Sequence, residues 1–509
     1  MTRVPEQRES GPAKANETNE LEVCAMAATN PLKPATVASI SAARSKAASA
    51  SAVPFVADAG AAEAFARLHG GRLLHDHSSG AWLEFDGTRW ARDELGRITQ
   101  HGLAVSRELL TDAAVATLRA AREPNSGLQK QLMDEADKIK AAAISLQRKP
   151  RLDAMIALVG TDPLIAANRG MFDAHDMRLG VQNGVVELTE LPVNHRAGAP
   201  ADMITRQAGC AFDALALCPT WDAFLERVQP DREVRLWLRR LVGYWLTGRT
   251  DQQSFTVFHG LGANGKSVFA ETVKKLLGSY GVSADFSSFM AKNQGSDAIR
   301  NDLARLDKVR LVVASEGPEG ARLDEDLVKR ITGGDEITAR FLHREFFSFR
   351  PRFKLLLVTN HRPSISGTDH GIWRRVVLVP WTVTIPREEQ DRRLVERLEA
   401  ELPGILCWAL QGLDEYLALG LDLPRAIVAA NAEYRQDSDV VGHWIDDSCL
   451  LDAKGRTTNG ALYQSYSAWA SAAGHRPMSA KSLGDRLRER GLTPWRTTNG
   501  RGWAGIALK

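Results

Sequence analysis

One octapeptide constrains the fold of this chain more than any other stretch. Residues 260–267 read Gly-Leu-Gly-Ala-Asn-Gly-Lys-Ser and fit the pattern G-x-x-x-x-G-K-[ST]. Residues 254–258, just before it, predict a short buried strand, and residues 267–277 predict a helix that ends at Gly278. A strand, a glycine-rich loop and a helix in this order predict a phosphate-binding loop, with a chance glycine turn as the alternative.

Each residue type in the octapeptide suits the binding of nucleotide phosphates. The glycines let backbone N–H groups turn toward the phosphates, and the N-terminus of the following helix adds positive potential. Lys266 is expected to reach the β- and γ-phosphates of ATP, and Ser267 is expected to hold Mg²⁺. The predicted nucleotide site is therefore the whole loop: Gly260, Leu261, Gly262, Ala263, Asn264, Gly265, Lys266 and Ser267.

The composition is that of an ordinary globular protein. A length of 509 residues predicts about three domains, and the 44% hydrophobic and 25% charged residues are typical values. The net charge of +3 is too small to indicate nucleic-acid binding without local patches. The five cysteines are scattered, which predicts neither a disulfide framework nor a zinc site and favours the cytoplasm. We find no apolar run long enough for a membrane span and no signal-peptide pattern, so no membrane association is expected.

Changes in composition and periodicity divide the chain into five regions. Residues 1–57 are rich in Ala, Ser, Thr and Pro and are predicted to be disordered. Residues 58–210 predict an N-terminal domain of helices and hairpins. In residues 211–390 a helical lead-in is followed by alternating strands and helices, which predicts an α/β domain with a parallel sheet. Residues 391–439 predict a helical extension, and residues 440–509 a final small domain.

An acidic residue of the site is predicted at the end of a second apolar strand. Residues 309–314 form this strand, and Ser315 and Glu316 follow it. A carboxylate there can complete the Mg²⁺ shell and orient the attacking water. Many ATPases carry two acids at this point. Because Ser315 occupies the first of these positions here, Glu316 is expected to serve alone. A surface glutamate that only ends a strand is the alternative.

Two later segments can add an amide and a guanidinium. A third strand, residues 353–358, leads to Asn360, whose amide can sense the γ-phosphate; a turn-forming asparagine is the alternative. Arg374 and Arg375 precede a further strand at residues 376–379. They suit an arginine finger that acts on the nucleotide of a neighbouring subunit, and a salt bridge at the sheet edge is an equally good interpretation.

Two basic features predict contacts with DNA. Residues 337–349 predict a hairpin with His343 and Arg344 at its tip, which in a ring would grip a phosphate backbone in the central channel. In the last region, a helix, a basic helix with Lys481 and Arg486, and a hairpin follow one another, which is the order of a winged helix-turn-helix. The alternatives are a solvated turn for the first feature and a small packing domain for the second.

These parts, in this order, resemble the superfamily 3 helicases, and among them the phage and plasmid primase–helicase type related to the poxvirus primase–helicase. The region around Trp82 and Trp90 and residues 179–188 are similar to the domain that precedes the helicase in this family. The segments that carry the resemblance in the helicase core are residues 260–267, 312–316, 327–340, 354–363 and 367–375.

The resemblance implies a fold, an activity and partners. The fold is an α/β P-loop NTPase core of the AAA+-like superfamily 3 type, preceded by a mainly helical domain and followed by a winged helix-turn-helix. The activity is that of an ATP- and Mg²⁺-dependent DNA helicase of phage or plasmid replication, expected to form a hexameric ring that translocates on single-stranded DNA. Forked DNA and a separate primase or polymerase are the expected partners, and the bacterial host cytoplasm is the expected location.

The same resemblance assigns a role to each candidate residue. Lys266 and Ser267 bind ATP and Mg²⁺, Glu316 is the acid of the second strand and Asn360 is the sensor. Arg374 or Arg375 is the finger, while His343 and Arg344 contact DNA. The chain departs from many family members in one respect: the part before the helical region has no room for a primase catalytic domain, so priming by this chain is not expected.

Two rival functions remain open from the sequence. One is a nucleic-acid-binding or assembly module whose ATPase switches conformation without unwinding; the basic hairpin and the finger arginines speak against it. The other is a small-molecule kinase with a phosphate loop, which lacks an arginine-rich lid and leaves the tail unexplained.

Overall fold

The computed structural model describes most of the chain after residue 57. The chain divides into two compact units, residues 1–53 and 54–509, and every described residue belongs to the second unit. The segment 1–57, for which the sequence predicts disorder, lies outside the described residues. The described stretches are residues 58–189, 192–291, 301–317, 319–342, 345–365, 370–498 and 500–509.

The N-terminal part is a small sheet covered by helices. Its elements are α1 (Asp58–His69), β1 (Leu73–Asp76), β2 (Ala81–Phe85), β3 (Trp90–Arg92), α2 (Ile98–Ala121), α3 (Ser126–Leu146), α4 (Lys149–Val159) and β4 (Ala166–Ala167). The sheet has the order β3-β2-β1-β4. Helix α3 begins after Asn125, whose side chain accepts hydrogen bonds from the backbone N–H groups of Gly127 and Leu128. Apolar side chains of α1 to α4 pack together over one face of the sheet.

A second small sheet leads toward the centre of the molecule. It contains β5 (Arg178–Val181), β6 (Gly184–Glu187) and β7 (Asn194–Arg196), paired antiparallel in that order. Val181 pairs with Gly184, so β5 and β6 form a hairpin whose two loop residues are Gln182 and Asn183. One buried cluster contains Leu179 of β5 together with Trp221 and Phe258, and it therefore joins this sheet to the central domain without a break at position 210.

The central part is a parallel sheet between helices, as predicted. It contains α5 (Pro219–Val228), α6 (Arg232–Trp245), β8 (Phe255–His259), α7 (Lys266–Leu277), β9 (Gly281–Asp285), α8 (Asn301–Ala304), β10 (Leu311–Ser315), α9 (Glu325–Gly333), β11 (Ile337–Ala339), β12 (Phe347–Phe349), β13 (Lys354–Thr359), α10 (His370–Trp373), β14 (Val376–Pro380), α11 (Leu394–Ala400), α12 (Leu402–Leu419) and α13 (Arg425–Asp437). Five of the strands form one sheet in the order β14-β8-β13-β10-β9, and every neighbouring pair is parallel.

Strand β13 lies in the middle of this sheet and shows why the strands of the sheet are apolar on both faces. All six of its residues are buried. Leu356 and Val358 pack into the cluster on one side of the sheet, and Leu355 and Leu357 pack into the cluster on the other side. Successive side chains of a strand point to opposite faces, so a strand covered by helices on both sides is apolar at nearly every position.

The last part is a small domain with its own core. It contains α14 (Val440–Ser448), β15 (Cys449–Leu450), β16 (Arg456–Thr458), α15 (Asn459–Ala472), α16 (Ala480–Glu489), β17 (Thr493–Thr497), β18 (Gly500–Ala504) and β19 (Ala507–Leu508). Its main sheet has the order β16-β18-β17. Trp444, Tyr466, Leu483 and Trp503 meet in the core. Among the described helices of the whole chain, none is long and apolar enough to cross a membrane.

Candidate nucleotide and DNA site

The glycine loop joins β8 to α7, and two of its glycines are required by close contacts. A Cβ at Gly260 would lie 2.2 Å from the backbone oxygen of Trp381. A Cβ at Gly265 would lie 2.5 Å from Val228, and Gly265 also has a φ of +82°. Around Gly262, by contrast, nothing lies within 4 Å of a Cβ position, so the loop is open on that side.

Lys266, the first residue of α7, is the centre of a buried polar group. Its side chain belongs to a residue only 5% exposed, and its Nζ donates to Gly260 O at 2.9 Å and to Asn360 Oδ1 at 2.7 Å. Burial lowers the pKa of this ammonium. The structure thus brings together two residues that the sequence predicted separately.

The loop is anchored to the segment that follows β14. The side-chain amide of Asn264 is buried and donates to Trp381 O at 3.1 Å, and the backbone N–H of Ile385 donates to Ala263 O at 2.7 Å. Asn264 therefore holds the shape of the loop through its side chain. This contact could not be read from the octapeptide, because its partner lies far along the chain.

Glu316 and Ser267 lie at the same edge of the sheet as the loop. Ser315 pairs with Val358, which pairs with Phe258, so β10, β13 and β8 end at one level. Glu316 follows β10, is exposed and has a φ of 65°, in the left-handed region. Ser267 is exposed at the second position of α7. In the part of the chain that the structure describes, no group of three His, Cys, Asp or Glu side chains forms a ready metal site.

The two candidate finger arginines differ sharply in their surroundings. Both precede β14, whose first residue pairs with Phe255, the first residue of β8. Both therefore lie at the amino ends of the parallel strands, whereas the glycine loop lies at the carboxyl ends. Arg375 is buried and donates to Thr332 Oγ1 at 3.0 Å. Arg374 is exposed and donates to Gln253 Oε1 at 3.4 Å. Only Arg374 presents its guanidinium to the surface.

The predicted hairpin is present, although its tip is not described. Strands β11 and β12 pair antiparallel, with the hydroxyls of Thr338 and Ser348 3.1 Å apart. His343 and Arg344, the predicted DNA contacts, lie outside the described residues. Their role in binding DNA therefore stays a prediction.

In the basic helix of the tail, α16, two arginines pair with acids of the same helix. Lys481 is exposed, but Arg486 forms an ion pair with Glu489 at 3.0 Å and Arg488 one with Asp485 at 2.8 Å. These acids occur at i+3 or i−3 on the same helix and reduce its net field. The pair of Arg488 with Asp485 is exposed on both sides, and such a pair contributes about 0.2–1 kcal/mol.

A cavity beside the glycine loop was not predicted from the sequence. It encloses about 610 Å³ and is lined by Ala263 and Gly265 of the loop. Its apolar wall comes from Phe224 of α5, Val268, Ile385 and Leu394. These residues belong to separate segments of the chain, and no local motif marks them, which is why sequence reasoning missed them.

Two segments of the chain match models of known protein families. Residues 62–230 match a family described as D5 N terminal like, and residues 258–375 match a family of unknown function, DUF5906. The chain is 26% identical over 408 residues to the putative helicase L207/L206 of Acanthamoeba polyphaga mimivirus, a match that covers 72% of this chain and 40% of that protein. It is 25% identical over 271 residues to the putative helicase 022R of Frog virus 3, covering 49% of this chain and 28% of that protein.

Further matches involve a primase by name and a solved structure. The chain is 24% identical over 211 residues to the putative primase C962R of African swine fever virus, covering 40% of this chain and 22% of that protein. The C-terminal region of NrS-1 aligns with 62% of this chain and 81% of that structure, at 8% identity and a TM-score of 0.37. The chain spans less than half the length of these viral relatives.

The fold and the matches define the class of the protein. It is a mixed α/β protein with a parallel sheet, and its sequence is similar to viral proteins named putative helicase and putative primase. More particularly, a D5 N terminal like segment followed by a DUF5906 segment, with relatives named helicase and primase in large DNA viruses, is consistent with the primase–helicase family. The resemblance predicted from the motifs is thus confirmed.

Proposed function

We propose that this chain is an ATP-dependent DNA helicase of phage or plasmid replication that translocates on single-stranded DNA as a hexameric ring. The observation that carries the proposal is the contact between Lys266 and Asn360, 2.7 Å apart at the sheet edge where the glycine loop opens. A buried ammonium beside a strand-end amide, with Glu316 on the next strand, is an arrangement suited to binding and hydrolysing a nucleoside triphosphate. The names of the viral relatives support the same activity.

The residues present fit ATP and Mg²⁺. The hydrogen bonds of the Lys266 ammonium go to neutral oxygens of Gly260, Asn264 and Asn360, so a phosphate would supply the anion that this buried cation lacks. Ser267 and Glu316 would hold the metal ion. Bound ATP supplies the phosphoryl group, Asn360 senses it and Glu316 orients the water.

We assign the nucleoside to the apolar cavity beside the loop. A volume of about 610 Å³ and a wall containing Phe224, Val268 and Ile385 suit a base and its sugar. The cavity is continuous with Gly265, whose backbone begins the phosphate site. The base and the phosphates would then be held on the two sides of one loop.

Arg374 is the finger in this proposal. It lies at the amino end of β14, while its own glycine loop lies at the carboxyl end of the parallel strands. The five residues of β14 between these two ends span about 16 Å. Its exposed guanidinium therefore suits the nucleotide of a neighbouring subunit. The internal hydrogen bonds of Arg375 suit a supporting role behind it.

DNA contacts come from two regions in this proposal. In the hairpin, His343 and Arg344 are the proposed contacts with the single strand in the channel. The tail, residues 440–509, acts as a winged helix-turn-helix, and the order β16-β18-β17 with α16 before the hairpin supports this topology. Lys481 and Arg486 are its proposed phosphate contacts. We further propose that the chain acts on forked DNA and that its protein partner is a separate primase or polymerase. The proposed location is the bacterial host cytoplasm.

A strand-displacement assay tests this function. The wild type should unwind a forked duplex in the presence of ATP and Mg²⁺, and Lys266→Ala should abolish both hydrolysis and unwinding. Hydrolysis stimulated by DNA without any displacement of a strand would instead favour the ATP-switched assembly module. Unwinding that survives in Lys266→Ala would contradict the assignment of the site.

A further inference from the structure

A second cavity lies between the N-terminal sheet and the segment that joins α8 to β10. It encloses about 580 Å³ and shares no lining residue with the cavity beside the glycine loop. Leu83 and Trp90 of the N-terminal sheet form part of one wall. Arg305 and Lys308, between α8 and β10, also line it, as does Phe341, which follows β11 of the hairpin.

Cations outnumber carboxylates around this cavity. The four acids that face it are Asp76, Glu94, Asp173 and Asp307. Asp76 accepts hydrogen bonds from Ser78 and Ser79, and Asp173 accepts three from Thr205 and Arg206, so these two carboxylates are already engaged. The lining cations are Arg89, Arg92, Arg169, Arg206, Arg305 and Lys308. The net charge of the lining is therefore positive.

Three of these cations can turn toward a ligand. Arg92 and Arg305 are exposed, and Arg305 donates from one terminal nitrogen to Ser283 O at 3.3 Å. Lys308 is half-buried, and desolvation lowers its pKa, so an anion that shared its pocket would stabilise the charged form. Arg206, by contrast, uses both terminal nitrogens on backbone oxygens of Ser279 and Asp307.

Backbone strain marks the same cavity. Among the described residues, six that are not glycine have a positive φ. Ala263 and Glu316 belong to the proposed nucleotide site, and Asp173, at 47°, and Lys308, at 61°, line the second cavity. Left-handed backbone costs free energy and is concentrated at binding and catalytic sites. Two of the strained positions thus point to a second functional site.

The cavity opens beside the hairpin that is proposed to grip DNA. Phe341 is 37% exposed, lines the cavity, and stacks on Phe347 of β12 with ring centroids 5.8 Å apart. Cations that hold phosphates next to an exposed aromatic ring that stacks on a base are the combination that binds single strands. We propose that this cavity binds the phosphodiester backbone of single-stranded DNA through Arg92, Arg305 and Lys308. The inference rests on the proposed function for the role of the adjacent hairpin.

The test measures binding of a fluorescein-labelled oligo-dT to the full chain without nucleotide, over a series of salt concentrations. The variant Arg92→Ala/Arg305→Ala should raise the Kd on the order of tenfold. It should also reduce the slope of log K against log salt by about 1.4, since each lost contact to a single strand removes about 0.7. Arg92→Lys/Arg305→Lys should keep the slope. Arg119→Ala/Arg122→Ala, which removes two exposed arginines at the end of α2, should match the wild type.

Two results would overturn the inference. The first is an equal Kd and salt slope in the alanine variant and in the α2 control. The second is that Arg92→Ala/Arg305→Ala loses affinity for free ATP while its binding of oligo-dT is unchanged, which would assign the cavity to a nucleotide. Since these measurements contain no hydrolysis step, a wild type that binds oligo-dT at the cavity but hydrolyses no ATP would refute the helicase function and leave the cavity inference standing.

Discussion

The guanidinium of Arg169 lies 3.6 Å from the ring centroid of Phe347, so the N-terminal region holds the stem of the hairpin directly. Arg169 belongs to a short 3-10 turn, Arg169–Met171, just after the small N-terminal sheet. It also lies 3.8 Å from Asp307 and 5.6 Å from the ring centroid of Phe341. Any movement of the hairpin must either break this stack or carry the N-terminal region with it.

This contact predicts a measurable coupling between Arg169 and Phe347. A double-mutant cycle with Arg169→Ala and Phe347→Leu, read from urea unfolding, should give a coupling free energy of about 0.5–2 kcal/mol. Arg169→Ala should also weaken the stimulation of ATP hydrolysis by single-stranded DNA, because the hairpin loses its support. Strictly additive unfolding free energies would show that the stack contributes nothing.

A second prediction concerns the partner of Lys266. Asn360→Ala should leave the KM for ATP nearly unchanged and lower kcat on the order of 10²-fold, because the amide acts on the transferred phosphoryl group more than on the bound nucleotide. Asn360→Asp should weaken ATP binding, since a carboxylate at this position would pair with the Lys266 ammonium and repel the phosphates. Steady-state kinetics of ATP hydrolysis check both. A raised KM with normal kcat in Asn360→Ala would contradict the sensor role.

A third prediction separates the two adjacent arginines. Arg374→Ala should lower kcat about 10³-fold or more without loss of stability, as expected of a finger. Arg375→Ala should lower the free energy of unfolding by about 1–3 kcal/mol, because it removes a buried donor to Thr332.

Mixed oligomers test whether Arg374 acts between subunits. Lys266→Ala subunits retain Arg374, and Arg374→Ala subunits retain Lys266. A mixture of the two inactive proteins should regain part of the ATPase activity, because some interfaces would combine an intact loop with an intact finger. No recovery from mixtures that do form rings would place the action of Arg374 within its own subunit.

A fourth prediction concerns the pH dependence of stability. Lys354 is buried at the start of β13, and its Nζ donates to Thr247 O at 2.5 Å. Burial, and then the nearby Arg310, hold the pKa of Lys354 well below 10.5 in the folded chain. Between that lowered pKa and 10.5 the unfolded chain binds more protons, so the free energy of unfolding should rise with pH, by up to about 1.4 kcal/mol per pH unit.

The variant Lys354→Met isolates this contribution. It should reduce the pH slope measured by urea unfolding at alkaline pH, and it should cost stability because the oxygen of Thr247 loses its donor. Lys454→Met removes an exposed lysine and should leave the slope unchanged. A slope that is equal in Lys354→Met and in wild type would mean that Lys354 does not titrate in this range.

Local signals in the sequence were enough for the elements around the loop. Residues 254–258 predicted β8, which spans Phe255–His259, and residues 267–277 predicted α7, which spans Lys266–Leu277. The helix and the basic helix predicted for the tail are found at Asn459–Ala472 and Ala480–Glu489. These boundaries are readable because caps, glycines and apolar periodicity act within a few residues of one another.

The choice of partners could not be read in the same way. Arg374 and Arg375 are neighbours of identical chemistry, yet the packing of Thr332 and Gly371 buries one and leaves the other exposed. On α16 the charges are given by the sequence, but which acid each arginine meets, such as Glu489 for Arg486, depends on side-chain geometry. The sequence contained every one of these residues and no signal for which would meet.

The sequence by itself determined the parallel α/β core, the glycine loop that ends at Ser267, and the family resemblance, because each rests on short local patterns and their order along the chain. Only the tertiary structure decided that Lys266 meets Asn360, that an apolar cavity adjoins the loop, and that Arg169 supports the hairpin. Those relations join segments far apart in the chain. Their geometry depends on strand order and burial, which are properties of the whole packed molecule and are not encoded in any one stretch.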